Sequence, residues 1–300
     1  MGGNNLVNVA FIHPRLFEGL ILIDPVISRV TSPRGNILPA QSSALRRDKW
    51  PSRKIALQSF KKSKFYQTWD PRVLDLWVQH GLRELPTKLY PDVPAAVEPY
   101  APDSHEVTLT TTKHQEVFTF FRPIDNSFRA SLDHFSEAEK IELNKLVHPE
   151  LDPNLDMSSG IYRPESAITF DNLPHLRPSV LYIFGELSPL SGPQSRTEKL
   201  ATTGTGLGGS GGVEAGRVKD IILKDTGHLI PMEKVVETAQ HCSDWIAGEL
   251  NRYKKNEELL ERFRNAQSEK ERFTLSDKII SKFRRELEAT RNQGSKESKI

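Results

Sequence analysis

The sequence predicts an α/β fold: a few buried parallel strands flanked by helices, interrupted by a large helical insertion and followed by a charged helical tail. Three observations predict it. Residues 19–24 read Gly-Leu-Ile-Leu-Ile-Asp, a continuous apolar run that suits a strand covered on both faces. Residues 179–184, closed by Gly185, read as a second strand, and residues 218–223 read as a third late in the chain. Helical periodicity precedes the first run and follows the last.

In order, residues 4–17 read as a helix with Leu6, Val7, Ala10 and Phe11 on one face, and the pair His13-Pro14 marks its end. The first strand follows and closes on Asp24-Pro25. Residues 29–178 are irregular and rich in proline. Helices are expected at 52–62, with Ser52 as N-cap, at 71–80, between the N-cap Asp70 and Gly81, and at 136–147. Residues 107–110 could form a short strand, but the proline spacing argues against a regular sheet. This stretch reads as a helical lid with long loops, its Trp50, Trp69 and Trp77 as packing residues. Residues 1–28 and 179–250 would form the α/β core. The last core helix, at 232–250, would place Val235, Ala239, Cys242, Trp245, Ile246 and Leu250 near one face. Residues 251–300 would be one or two charged helices.

Composition sets bounds. Of 300 residues 37% are hydrophobic and 27% charged, so part of the chain is solvated rather than packed. A formal net charge of +2 gives no bulk pull toward nucleic acid or membrane. The single cysteine, Cys242, leaves no internal disulfide and fits a reducing interior; a buried inert thiol is expected. No apolar run reaches the ~20 residues of a membrane span, and the start shows no secretory pattern. The histidines lack metal spacing. Residues 204–209 hold letters of a nucleotide-binding glycine motif, but they lead into a strand rather than a helix, so a flexible surface loop is expected. No cofactor is implied.

The chemistry concentrates in Asp225-Thr-Gly-His228-Leu-Ile-Pro-Met-Glu233, after a strand and before a helix. A histidine on such a loop can serve as general base. Gly227 lets the loop turn tightly, and Glu233 suits the dipole of the next helix.

This segment resembles the end of α/β-hydrolases, where the last strand delivers the catalytic histidine. Met1-Gly2-Gly3 before a helix is similar to the tail of the Gly-His-Ser-Met-Gly-Gly nucleophile elbow. The resemblance implies His228 as base and a nucleophile serine that would precede Met1. Family members commonly carry aspartate shortly after the glycine that ends the acid strand; Ser188 occupies that place here. The acid could be Asp24, favoured narrowly, or Glu186; Asp24 could equally be a turn-capping residue before proline. Without its serine the acyl-enzyme route is closed, and the isolated chain is expected to be weakly active or inactive in ester hydrolysis.

The chain ends Ser298-Lys299-Ile300, which resembles the Ser-Lys-Leu peroxisomal address read by the import receptor. With the lid, this resembles the peroxisomal hydrolases of the fungal host-selective toxin clusters that make the AK-, AF- and ACT-toxins. That implies a place in secondary metabolism and virulence, of the epoxy-decatrienoic acid type. The expected function is hydrolysis of an ester, thioester or epoxide of a medium-chain acid, with a small acyl or epoxy-acid molecule as partner. The alternatives are a truncated, non-catalytic relative that binds a partner or ligand, and a chain whose true start lies upstream.

Overall fold

In a computed structural model, described at residues 2–29, 33–91, 105–120, 122–123, 134–147, 161–162 and 165–297, the chain opens on helix α1 (Gly2–Ile12). The helix stops short of Phe17 because His13, preceding Pro14, is driven out of the helical region. Its Val7 and Ala10 are buried against Leu20 and Leu22 of β1 (Gly19–Ile23), with Leu6 and Phe11 packed at the margin.

The insertion contains β2 (Lys49–Trp50), α2 (Arg53–Lys62), α3 (Pro71–His80), β3 (Leu82–Glu84) and β4 (Val107–Leu109). Both expected caps form: Ser52 Oγ accepts the Ile55 amide at 3.3 Å, and Asp70 Oδ1 accepts the Arg72 amide at 2.9 Å. The expectation of no regular sheet is corrected. β2, β4 and β3 form an antiparallel sheet, with Trp50 opposite Val107 and Leu82 opposite Leu109. The strands are so short that the prolines flank them rather than break them. Under this sheet Trp50, Ala56, Phe60, Leu74, Val78, Leu82, Val107 and Leu109 form a separate core. Trp50 and Trp69 are buried, and Trp77 packs at the margin, 6.0 Å from Trp69 between ring centroids.

Residues 165–176, which the sequence assigns to the insertion, pack in the main core. Phe170, Leu173 and Leu176 are buried beside Val7 and Leu20, and Asn8 Nδ2 donates to Thr169 Oγ1 at 3.0 Å. The chain then forms β5 (Ser179–Gly185), α4 (Pro193–Thr202) and β6 (Val218–Leu223). The parallel sheet has the order β1-β5-β6, with Ile23 opposite Ile183 and Gly185 opposite Leu223. Every residue of β5 is buried. Its Val180, Tyr182 and Phe184 face the α1 side, while Leu181 and Ile183 join Leu223 and Ile230 on the other. All three strands end at one sheet edge, where ligands of parallel α/β sheets bind.

The glycine-rich segment is not the flexible loop expected. Gly204, Gly206 and Ser210 donate their amides to the carbonyls of Leu173, Pro174 and Leu176, and Gly211 donates to Gly204. Gly204, Gly208, Gly211, Gly212 and Gly216 have positive φ, so a fixed succession of turns explains the glycines.

A short turn (Ile230–Glu233) precedes helix α5 (Val235–Ala266). The expected apolar face is half right. Cys242 and Trp245 pack against the Leu181 side of the sheet, whereas Ile246 and Leu250 are exposed. Cys242 is half-buried, and burial pushes its thiol up. The chain divides into two units, Met1–Trp245 and Ile246–Ile300. The second consists of helices, ending in α6 (Asp277–Glu297). Among the described residues no helix is long and apolar enough to cross a membrane.

Candidate functional site

Asp24 is the first residue past β1. Its φ is +42, in the left-handed region that aspartate tolerates better than most side chains. Its amide still donates to Ile183 O at 2.8 Å, which fixes the turn to the sheet. The carboxyl is buried and accepts three side-chain hydrogen bonds. His228 Nδ1 lies 2.6 Å from Oδ2, Ser188 Oγ donates to Oδ2 at 2.5 Å, and Ser191 Oγ donates to Oδ1. Burial pushes the carboxyl up, but the hydrogen bonds from His228, Ser188 and Ser191, together with the charge of His228, outweigh burial and hold it below its ordinary value. Asp24 is therefore ionised at neutral pH. A carboxylate only accepts, so His228 donates through Nδ1, and Nε2 is the ring nitrogen turned away from Asp24.

His228 is delivered by the loop after β6. Asp225 takes φ of +51, and Thr226 is buried. The amide of Gly227 donates to Glu233 Oε2 at 2.8 Å, so Glu233 holds the loop directly in addition to sitting at a helix start. A Cβ at Gly227 would lie 2.9 Å from Glu233 Oε1, so a side chain there would press on the carboxylate that holds the loop. The loop after β5 is stitched to this one: Leu187 donates its amide to Thr226 O and Glu186 to Leu223 O, both at 2.9 Å. The His228 side chain is 40% exposed and that of Asp24 is 0% exposed, so the pair has a dry end and a wet end.

Of the residues predicted from sequence, the fold brings Asp24 and His228 together. It places Glu186 elsewhere: that side chain is exposed, and its Oε2 accepts the Asp225 amide at 3.1 Å. Asp24 reaches His228 across β5, and Ser188, which stands where an acid was expected, donates to it. Ser298, Lys299 and Ile300 lie outside the described residues. No group of three His, Cys, Asp or Glu suited to a metal occurs among the described residues.

Three site residues escaped sequence reading. Ser191 is one; its only signal is a second hydroxyl three residues after Ser188. Arg196 is buried and braces the loop, donating through Nε to Ser191 O at 2.5 Å and through Nη2 to Gly185 O at 2.8 Å and Glu186 O at 3.0 Å. Lys199 is fully buried, with Nζ donating to Ser195 Oγ at 2.8 Å and lying 5.7 Å from the Phe184 ring centroid. Burial pushes its ammonium down to about 8, against the pull of the Asp24 charge. At pH 7 the fold thus bears a buried charge. Lys199→Met is expected to raise the unfolding free energy there by about 1–3 kcal/mol. The gain should shrink as pH rises above about 8 toward the ordinary value of 10.5, because there the unfolded wild-type chain binds a proton that the folded chain does not. Urea unfolding across that range checks this; a variant less stable than wild type at pH 7 would refute it.

No family model matches the chain. It is 37% identical over 267 residues to the Type I acyl-CoA thioesterase mpaH of Penicillium roqueforti (strain FM164), an overlap covering 85% of this chain and 59% of that protein. To the thioesterase mpaH' of Penicillium brevicompactum it is 36% identical over 275 residues, covering 89% of this chain and 61% of that one. It is 28% identical over 246 residues to the Abhydrolase domain-containing protein AFT2-1 of Alternaria alternata, covering 82% and 80%. The chain thus spans 59% and 61% of the length of these thioesterase relatives. A parallel sheet whose carboxyl edge joins an aspartate to a histidine, together with these relatives, supports the resemblance of the chain to the α/β-hydrolase superfamily.

Proposed function

We propose that this chain carries the general base and the orienting acid of a hydrolase acting on an acyl thioester, ester or epoxide of a medium-chain acid. The Asp24–His228 pair carries the reading. A buried, ionised carboxylate fixes the ring through Nδ1, and Nε2 makes no hydrogen bond to a described residue. A ring so held accepts a proton from an attacking hydroxyl or water and returns it to the departing thiolate or alkoxide. The first turn of α1 supports the reading, because a Cβ at Gly3 would lie 3.0 Å from Cβ of Pro25, the residue after Asp24. The helix that resembles the one following a nucleophile elbow therefore starts beside the acid. A thioester is favoured among the three substrates because the thioesterase relatives carry that name.

Purified chain incubated with a series of acyl-CoA thioesters, with thiol release followed by colour, tests this. Release is expected to be slow and to fall at least ~100-fold, or to background, in His228→Ala. Equal release by the variant would overturn the proposal.

We further propose peroxisomal import through Ser298-Lys299-Ile300 and a place in a fungal secondary-metabolite pathway, of the toxin type that the terminal tripeptide and the Alternaria relative suggest. Residues 289–300 fused to a fluorescent protein should give punctate signal that coincides with a peroxisomal marker. Diffuse signal would refute the import reading.

A further inference from the structure

We propose that Ser188 and Ser191 are positioning residues that set the basicity of His228 by sharing the carboxylate of Asp24 with it. The proposal deepens the hydrolytic reading and rests on it only for its catalytic consequence. Ser188 and His228 donate to the same oxygen, Oδ2, while Ser191 takes Oδ1. Donors on one carboxylate compete: each withdraws negative charge and weakens the acceptor for the others. A ring that faced this buried carboxylate alone would bind its second proton more tightly, and it would stay protonated where a base is needed.

The two hydroxyls occupy these positions because the loop is built. Ser191 O is clamped by Arg196 Nε, and Arg196 Nη2 holds the carbonyls of Gly185 and Glu186. Ser188 donates its amide to Gly185 O and accepts the Leu190 amide on its hydroxyl at 3.2 Å, which leaves its proton for Asp24. Ser188 is 5% exposed and Ser191 0%, so water cannot easily replace either donor. The other charges near the carboxylate are His228 on the β6 loop and, from α4, Lys199, whose ammonium interacts with Asp24, and Arg196, which braces the loop. Neither cation is altered by changing the serines. The depressed carboxyl of Asp24 agrees with donors that stabilise its charge.

The test is an NMR titration of the full chain carrying carbon-labelled histidine, with the His228 signal assigned by its loss in His228→Gln. In Ser188→Ala/Ser191→Ala the titration midpoint of His228 is expected to rise by about 0.5 pH unit or more, roughly a threefold gain in proton affinity. Ser188→Ala, which frees the shared oxygen, should move it more than Ser191→Ala. Ser188→Thr, which keeps a hydroxyl, should restore the wild-type midpoint, and His175 serves as a reference that does not move. If an alanine variant loses its folded spectrum, Ser188→Cys and Ser191→Cys keep the volume, weaken the donor and carry the same expectation. A midpoint that stays within about 0.1 unit or falls, in folded protein, overturns the proposal, since a merely structural role would lower stability without raising the midpoint. Turnover is not part of the measurement, so the result stands whether or not His228 proves necessary for thioester hydrolysis.

Discussion

Gly185→Ala is expected to cost at least about 3 kcal/mol of stability and to dislodge the His228 loop. A Cβ at this position would stand 2.0 Å from Gly227 O and 2.6 Å from Thr226 O. Both obstacles are backbone, so no rotamer change relieves them. Nor can β5 retreat, because it is paired with β1 on one side and β6 on the other. The loop after β6 must therefore move, and with it the hydrogen bonds from Leu187 to Thr226 and from Gly227 to Glu233. Urea unfolding gives the stability, and the histidine spectrum reports whether His228 still meets Asp24. A loss under about 1 kcal/mol with an unchanged spectrum would show that the two loops do not cross as closely as described.

Asp24→Asn is expected to have the second large effect, on both stability and chemistry. The amide keeps the shape but exchanges an acceptor for a donor. With the amide nitrogen toward the ring, His228 must accept through Nδ1 and carry its proton on Nε2, which removes the base. In serine hydrolases of this logic the equivalent change lowers turnover by about 10⁴, and a comparable loss of any His228-dependent hydrolysis is expected here. Ser188 and Ser191 also lose an anionic acceptor in a dry site, and unfolding free energy at pH 7 should drop by about 2–4 kcal/mol. The pH dependence has a definite sign. The folded chain holds Asp24 below its ordinary value of 3.8, so between those two values the unfolded chain binds more protons. The stability contributed by the carboxylate is therefore complete above the ordinary carboxylate range and is lost as pH falls through the lowered folded value. Wild type and variant should converge in acid. A gap that is constant from neutral to acid pH would mean that the charge of Asp24 plays no part in it.

Much of the main sheet was legible because its signals are local. Residues 19–23 and 180–184 are apolar without alternation, the mark of a strand buried on both faces, whereas residues 218–223 carry Lys219 and Asp220 and that strand is buried only at its ends. The caps at Ser52 and Asp70 were legible for the same reason: each is one side chain acting on an amide two or three residues away. The antiparallel sheet of the insertion was not, because its strands are two or three residues long and pair across a span from Lys49 to Leu109. No periodicity exists at that length. The turns around Gly204 and Gly212 looked like flexible composition, since backbone hydrogen bonds to Leu173, Pro174 and Leu176 leave no trace in side-chain pattern. Ile246 and Leu250 matched a helical apolar face, but whether a face is covered depends on what lies opposite it.

The sequence by itself determined that His228 sits on a tight Gly-His loop between a strand and a helix, and that Asp24 and Glu186 were the acids to consider. Those are properties of short segments. Only the tertiary structure showed which of the two meets His228. The parallel order β1-β5-β6 brings the end of β1 to the end of β6 across 204 residues of chain, with Asp24 against Nδ1 of His228 and Glu186 turned to the amide of Asp225. The same packing supplied what no spacing could announce: that Ser188 donates to Asp24, that a second serine does so beside it, and that a buried arginine holds the carbonyl of Ser191. A hydrogen bond between distant residues is set by strand order and register, and these are settled by burial of the whole sheet rather than by the residues that make the bond.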